Sequence, residues 1–109
     1  MKEIKAIVRP ERLSDVLQAL HGIPRLPGVT VSHVRGFGRR VPADPDGEAF
    51  AAVDMTKLEI VVPAALASDV VSTIERAAHT GRAGDGKIFT IAVDGAVRVR
   101  SGERDDSAL

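Results

Sequence analysis

The chain contains no cysteine, tyrosine or tryptophan among its 109 residues. Without cysteine, disulfides and thiolate metal ligands are excluded. Phe37, Phe50 and Phe89 are the only benzene-ring side chains, so the core has to be built from Val, Ile, Leu and Ala. The same scarcity argues against an RNA-recognition module, which reads bases by stacking them on aromatic residues of its sheet. An excess of charge is also missing: Lys+Arg and Asp+Glu both number 15. A chain with zero formal charge has no general attraction for nucleic acid or membrane, and any basic character must be local. No apolar run approaches the roughly 20 residues needed to cross a bilayer. The opening Met1–Lys5 has no signal-peptide apolar core, so the expected location is cytoplasmic. The length fits one domain over residues 1–109, and small domains with few large side chains often gain stability by associating.

What is present follows a clear order. KEIKAIVR over residues 2–9 begins with the two-residue alternation of a half-buried strand. Pro10 suits a first helical turn, and Leu13, Val16, Leu17 and Leu20 then share one face, predicting a helix from Pro10 to His21. Gly22 ends it. The β-branched run Val29–Phe37 predicts a second strand. Residues 39–56 carry Pro42, Pro45 and Asp46-Gly47 with no sustained period, and are expected to form a long flexible loop of the kind that makes functional contacts. KLEIVV, residues 57–62, predicts the third strand. Pro63 opens a second helix striped by Leu66, Val70, Ile74 and Ala78 and ending near His79. Lys87–Val93 is the fourth strand and Val97–Arg100 a short extra one. The order β-α-β-β-α-β predicts an α+β, ferredoxin-like sandwich.

Three clusters could carry chemistry. Thr80–Phe89, TGRAGDGKIF, places three glycines, Arg82 and Lys87 immediately before a strand. Glycines let backbone N–H groups approach a ligand, so such a loop can cradle an anion, although Asp-Gly before a strand is also an ordinary turn signal. Period-two alternation would set Arg98 and Arg100 on one strand face as a polyphosphate clamp, or else as a solvated face paired with Asp105 or Asp106. Arg35-Gly36-Phe37-Gly38-Arg39-Arg40 could admit a nucleotide close to the backbone, but is neither a Rossmann fingerprint nor a Walker A loop. His21, His33 and His79 show no metal-ligand spacing, and nothing resembles a catalytic nucleophile with its base.

Together, MKEIKAIVRP, VTVSHVRGFGRR, KLEIVVP, AHTGRAGDGKIFTIAV and VRVRSGERDDSAL resemble the PII signal-transduction family across nearly the whole chain, apart from residues 40–56. The resemblance implies a homotrimer of ferredoxin-like subunits binding ATP or ADP in clefts between neighbours, without catalysis. It implies that Gly36, Phe37, Gly38 and Arg39 lie near the nucleotide at the base of the long T-loop-like segment. Gly84, Asp85, Gly86 and Lys87 would cradle its phosphates, with Thr30, Arg98 and Arg100 reaching in from the next subunit. The long loop would then act on a membrane transporter or metabolic enzyme.

The departures lie in that loop. The family glutamine that holds magnesium for 2-oxoglutarate is Arg40 here, which leaves magnesium unassigned. The lysine that pairs with the 2-oxoglutarate carboxylate aligns with Met55, and without tyrosine the family's uridylylation site is absent. GFGRR and LPGVTVS resemble a divergent PII-like subgroup, some members of which accompany metal-efflux or inorganic-carbon systems. The alternative reading is a trimeric metal-binding or structural adaptor that keeps the fold without the nucleotide; a third, an ATP-hydrolysing enzyme, has no identifiable base.

Overall fold

The computed structural model describes residues 1–39 and 50–109. Strand β1, Lys2–Val8, leads through a short 3-10 turn at Pro10–Arg12 into helix α1, Leu13–His21. Strands β2, Thr30–Arg39, and β3, Phe50–Val62, follow. A second 3-10 turn at Ala64–Leu66 enters helix α2, Ala67–Ala78, and β4 spans Gly86–Ala92. Both helices start tightly for the same reason. Pro10 and Pro63 fix extended-to-helical entry, and the first bonds close three residues apart, from Arg12 N–H to Arg9 O at 3.0 Å and Leu66 N–H to Pro63 O at 2.9 Å.

The four strands form one sheet in the order β2-β3-β1-β4, with every neighbouring pair antiparallel. Ile4, Ala6 and Val8 of β1 and Leu58, Ile60 and Val62 of β3 alternate onto one face. There they meet Val16 and Leu20 of α1 and Val70, Ile74 and Ala78 of α2. Each fully buried Val, Leu or Ile contributes about 1.5–3 kcal/mol relative to exposure. This is the ferredoxin-like sandwich expected from the order of elements, with an aliphatic core.

Two expectations change in detail. The sequence predicts a loop over 39–56, whereas Arg39 is strand and β3 begins at Phe50, so Gly36–Arg39 pair with Val53, Ala52, Ala51 and Phe50. Cross-strand backbone bonds organise this outer ladder, which needs no amphipathic period because among the described residues no helix covers it. The remainder of the expected loop, with Arg40, lies outside the described residues. The extra C-terminal strand is reduced to a single bridge between Val97 and Arg104. Val99–Ser101 turn instead, with Gly102 N–H bonded to Arg98 O at 2.8 Å, so the alternation that would align Arg98 with Arg100 stops at Arg98.

Candidate functional site

The loop between α2 and β4 is organised from inside by Asp85. Its carboxylate accepts from Thr80 N–H at 2.8 Å, Gly81 N–H at 2.9 Å, the Thr80 hydroxyl, and Arg9 Nε at 2.9 Å. These donors, led by the Thr80 hydroxyl and the Arg9 guanidinium, hold the carboxyl far below the usual carboxylate range. Arg9 also donates through Nη2 to the Ala83 carbonyl at 2.6 Å. In a trans peptide the C=O and N–H point in opposite directions, so clasping Ala83 O turns the Gly84 N–H away from Arg9. Nearby, Arg12 Nε and Nη2 both reach the Ala77 carbonyl, at 3.0 and 2.6 Å, and cap the end of α2. Gly84 and Gly86 adopt φ of +94° and +104°. At Gly86 a Cβ would overlap the Ile7 carbonyl oxygen, so the loop enters β4 by a route open only to glycine.

The loop thus divides its work. Thr80, Gly81 and Asp85 are spent on internal order and Gly86 on the close approach to Ile7, while Gly84 and Lys87 are exposed. A cleft of about 370 Å³ opens beside it, lined in part by Val71, Glu75, His79, Asp85, Lys87 and Ile88. Among the described residues no group of three or more His, Cys, Asp or Glu side chains is placed to hold a metal ion.

The other expected site residues fall into two further groups. Gly36, Phe37, Gly38 and Arg39 form the end of β2; the β1–β3 and β2–β3 registers place them past the end of β1, at the same end of the sheet as the loop. Phe37 is 68% exposed. With β3 and β1 intervening between β2 and β4, three strand spacings of about 4.8 Å put roughly 14 Å between the two outer strands. Arg98 and Arg100 follow β4 at its opposite end, where Ala92 pairs with Lys2 and Val93 N–H bonds Met1 O at 3.2 Å. From Gly86 to Ala92 the strand rises by about 20 Å. Arg98 is half-buried, its guanidinium 2.7 Å from the Leu109 carbonyl oxygen and 3.5 Å from Glu103, whereas Arg100 is exposed in the turn. Thr30 opens β2, exposed and opposite Glu59.

Among the described residues no helix covers the other sheet face. Glu3, Lys5, Ile7, Lys57, Glu59, Val61, Lys87, Phe89 and Ile91 share it by register. Phe89 and Ile91 are 45% and 39% exposed. Lys57 Nζ lies 3.3 Å from Glu59, and hydrogen bonding from the Glu3 side chain together with Lys57 lowers the pKa of the Glu59 carboxyl.

Sequence reasoning missed Arg9, Arg12 and Glu103. Arg9 lies 76 positions from Asp85 and Arg12 65 from Ala77, so nothing local in the sequence joins them. Glu103 was legible only as part of a polar tail.

Comparison with known proteins gives the class first. The family model for nitrogen regulatory protein P-II matches residues 1–103. The chain is 42% identical to the nitrogen regulatory protein P-II of Rhodospirillum rubrum and 43% identical to nitrogen regulatory protein P-II 1 of Escherichia coli, in each case over the full length of both chains. A crystal structure of Arabidopsis thaliana PII bound to citrate superposes with a TM-score of 0.83 at 44% identity, covering 99% of this chain and 91% of that one. The chain belongs to the PII family of nitrogen regulatory, signalling proteins. Among its described residues no helix is long and apolar enough to cross a membrane.

Proposed function

We propose that the chain is a non-catalytic signalling protein that binds ATP or ADP in clefts between neighbouring subunits of a homotrimer and regulates a partner, a membrane transporter or a metabolic enzyme, through the region joining β2 to β3. One observation carries the reading. The two halves of the expected phosphate wall, Gly84–Lys87 and the Arg98/Arg100 pair, stand at the start of β4 and beyond its end, and the strand is about 20 Å long. A single polyphosphate bridging both is most simply reached when the arginines come from a second copy. The uncovered sheet face with exposed Phe89 and Ile91 offers apolar area for that association.

The state of Asp85 supports the non-catalytic reading. It is the carboxylate of the loop, and with four donors holding it ionised it is a poor proton acceptor. Signalling then requires that ATP and ADP contact the β2–β3 region differently, because a ligand binding two states equally shifts neither. Calorimetric titration with ATP, ADP, AMP and cyclic dinucleotides tests the reading. Saturable binding of ATP or ADP is expected, and no binding of either at millimolar concentration contradicts it. In that event a metal titration followed by native mass spectrometry would test the adaptor alternative.

A further inference from the structure

Arg98 already holds an anion of its own chain. Its Nη2 donates to the Leu109 carbonyl oxygen at 2.7 Å, and its Nη1 stands 3.5 Å from Glu103 Oε1. The arrangement is built rather than incidental. Arg98 N–H bonds Glu103 O at 2.9 Å, and the Ser101 hydroxyl donates to Glu103 Oε1 at 2.8 Å, which aims the carboxylate at the guanidinium. The far end is tied down as well: Asp105 N–H reaches Ala96 O at 2.8 Å, its carboxylate accepts from Ala96 N–H at 3.3 Å, and a 3-10 turn over Asp105–Ala108 returns the chain to bring Leu109 onto Arg98. Arg100, two residues on, has no such partner among the described residues and stands exposed in the turn.

We propose that Glu103 and the Leu109 carbonyl hold the place of a phosphate on Arg98, so that the tail is an internal competitor that a nucleotide polyphosphate must displace. This rests on the nucleotide reading above, in which Arg98 belongs to the phosphate wall. A guanidinium offers five N–H donors in a planar fork, but its carboxylate-facing edge cannot serve Glu103 and a phosphate at full strength together. Binding therefore exchanges one ion pair for another. Arg100 supplies the open attraction, while Arg98 is released only when the ligand outcompetes the tail. The competition selects for polyphosphates carrying enough charge to win it, and bound nucleotide frees residues 103–109 from their docked course.

The test is a calorimetric titration of ATP into full-length wild type, Glu103→Gln, Asp106→Asn, Arg98→Ala and the Glu103→Gln/Arg98→Ala double variant. Glu103→Gln is expected to tighten ATP by about threefold to fivefold, the scale of a partly exposed ion pair. Asp106→Asn removes the same charge from the same tail without an arginine contact, and is expected to leave affinity within twofold. In the Arg98→Ala background the gain from Glu103→Gln disappears. The proposal is overturned if wild type binds ATP and Glu103→Gln binds it equally or more weakly, which would make Glu103 a support for Arg98. It is also overturned if Asp106→Asn gives the same gain, or if the gain survives without Arg98. Failure of wild type to bind any nucleotide is a different result, and removes the site reading itself.

Discussion

Asp85 orders the loop to which the proposed function gives an anion, and it does so with its own carboxylate spent on partners inside the loop. In the sequence it sits inside GDGK and invites assignment as a ligand. In the structure both oxygens are turned inward to Thr80, Gly81 and Arg9. A negative charge facing phosphate would repel it; one paired with Arg9 instead fixes the loop around Gly84. The pH dependence follows from the direction of the shift. The folded pKa lies below the unfolded value of about 3.9, so the stabilisation is fully present above that value and is lost as pH falls through the folded pKa. Amide resonances of Thr80 and Gly81, followed by NMR, should therefore keep their hydrogen-bonded shifts down through pH 4. In Asp85→Asn they should shift already at pH 7. Wild-type resonances that move with a midpoint in the ordinary carboxylate range would contradict this account of the loop.

At the scale of elements, the strands and helices inside the core were legible because one face of each is buried, so their sequences carry the period. The β4 boundary and both helix stripes could be read within a residue or two. The outer half of β3 could not. Residues 50–56 form strand because β2 lies beside them, and a ladder beyond the helices leaves little periodic signature. The tail failed for the opposite reason: Val97–Arg100 does alternate, yet Val99 is 98% exposed and the chain turns there to bond with itself. The loop's glycines were legible, but their separate roles were not, since the Arg9 clasp joins residues far apart in sequence. Gly86 illustrates what such a junction demands. It starts β4 against β1 with φ of +104° and has no room for a Cβ. Gly86→Ala should lower stability by about 3 kcal/mol, combining backbone strain with overpacking. Urea unfolding measures this; a change under 0.5 kcal/mol would mean that the β1–β4 junction yields freely.

For the molecule as a whole, the family membership and the order of elements were accessible early because the motifs span the chain. The geometric reason for an assembly was not. The proposed two-subunit site rests on chain order around β4, since Gly84–Lys87 stand at its start and Arg98 and Arg100 come after its end. In the proposed function a nucleotide site is completed only by two subunits, one giving the loop and the next the arginines. Mixed trimers test it directly. Lys87→Ala chains keep the arginines and Arg100→Ala chains keep the loop, so each variant alone should bind ATP weakly. When equal amounts are unfolded and refolded together, a closed ring with head-to-tail clefts gives about one quarter intact sites, half times half. Calorimetry on the mixture should then recover wild-type affinity at about that fraction of sites. If the mixture binds no better than the average of the two variants, while exchange of subunits is verified by native mass spectrometry, both walls belong to one chain and the intersubunit site is wrong.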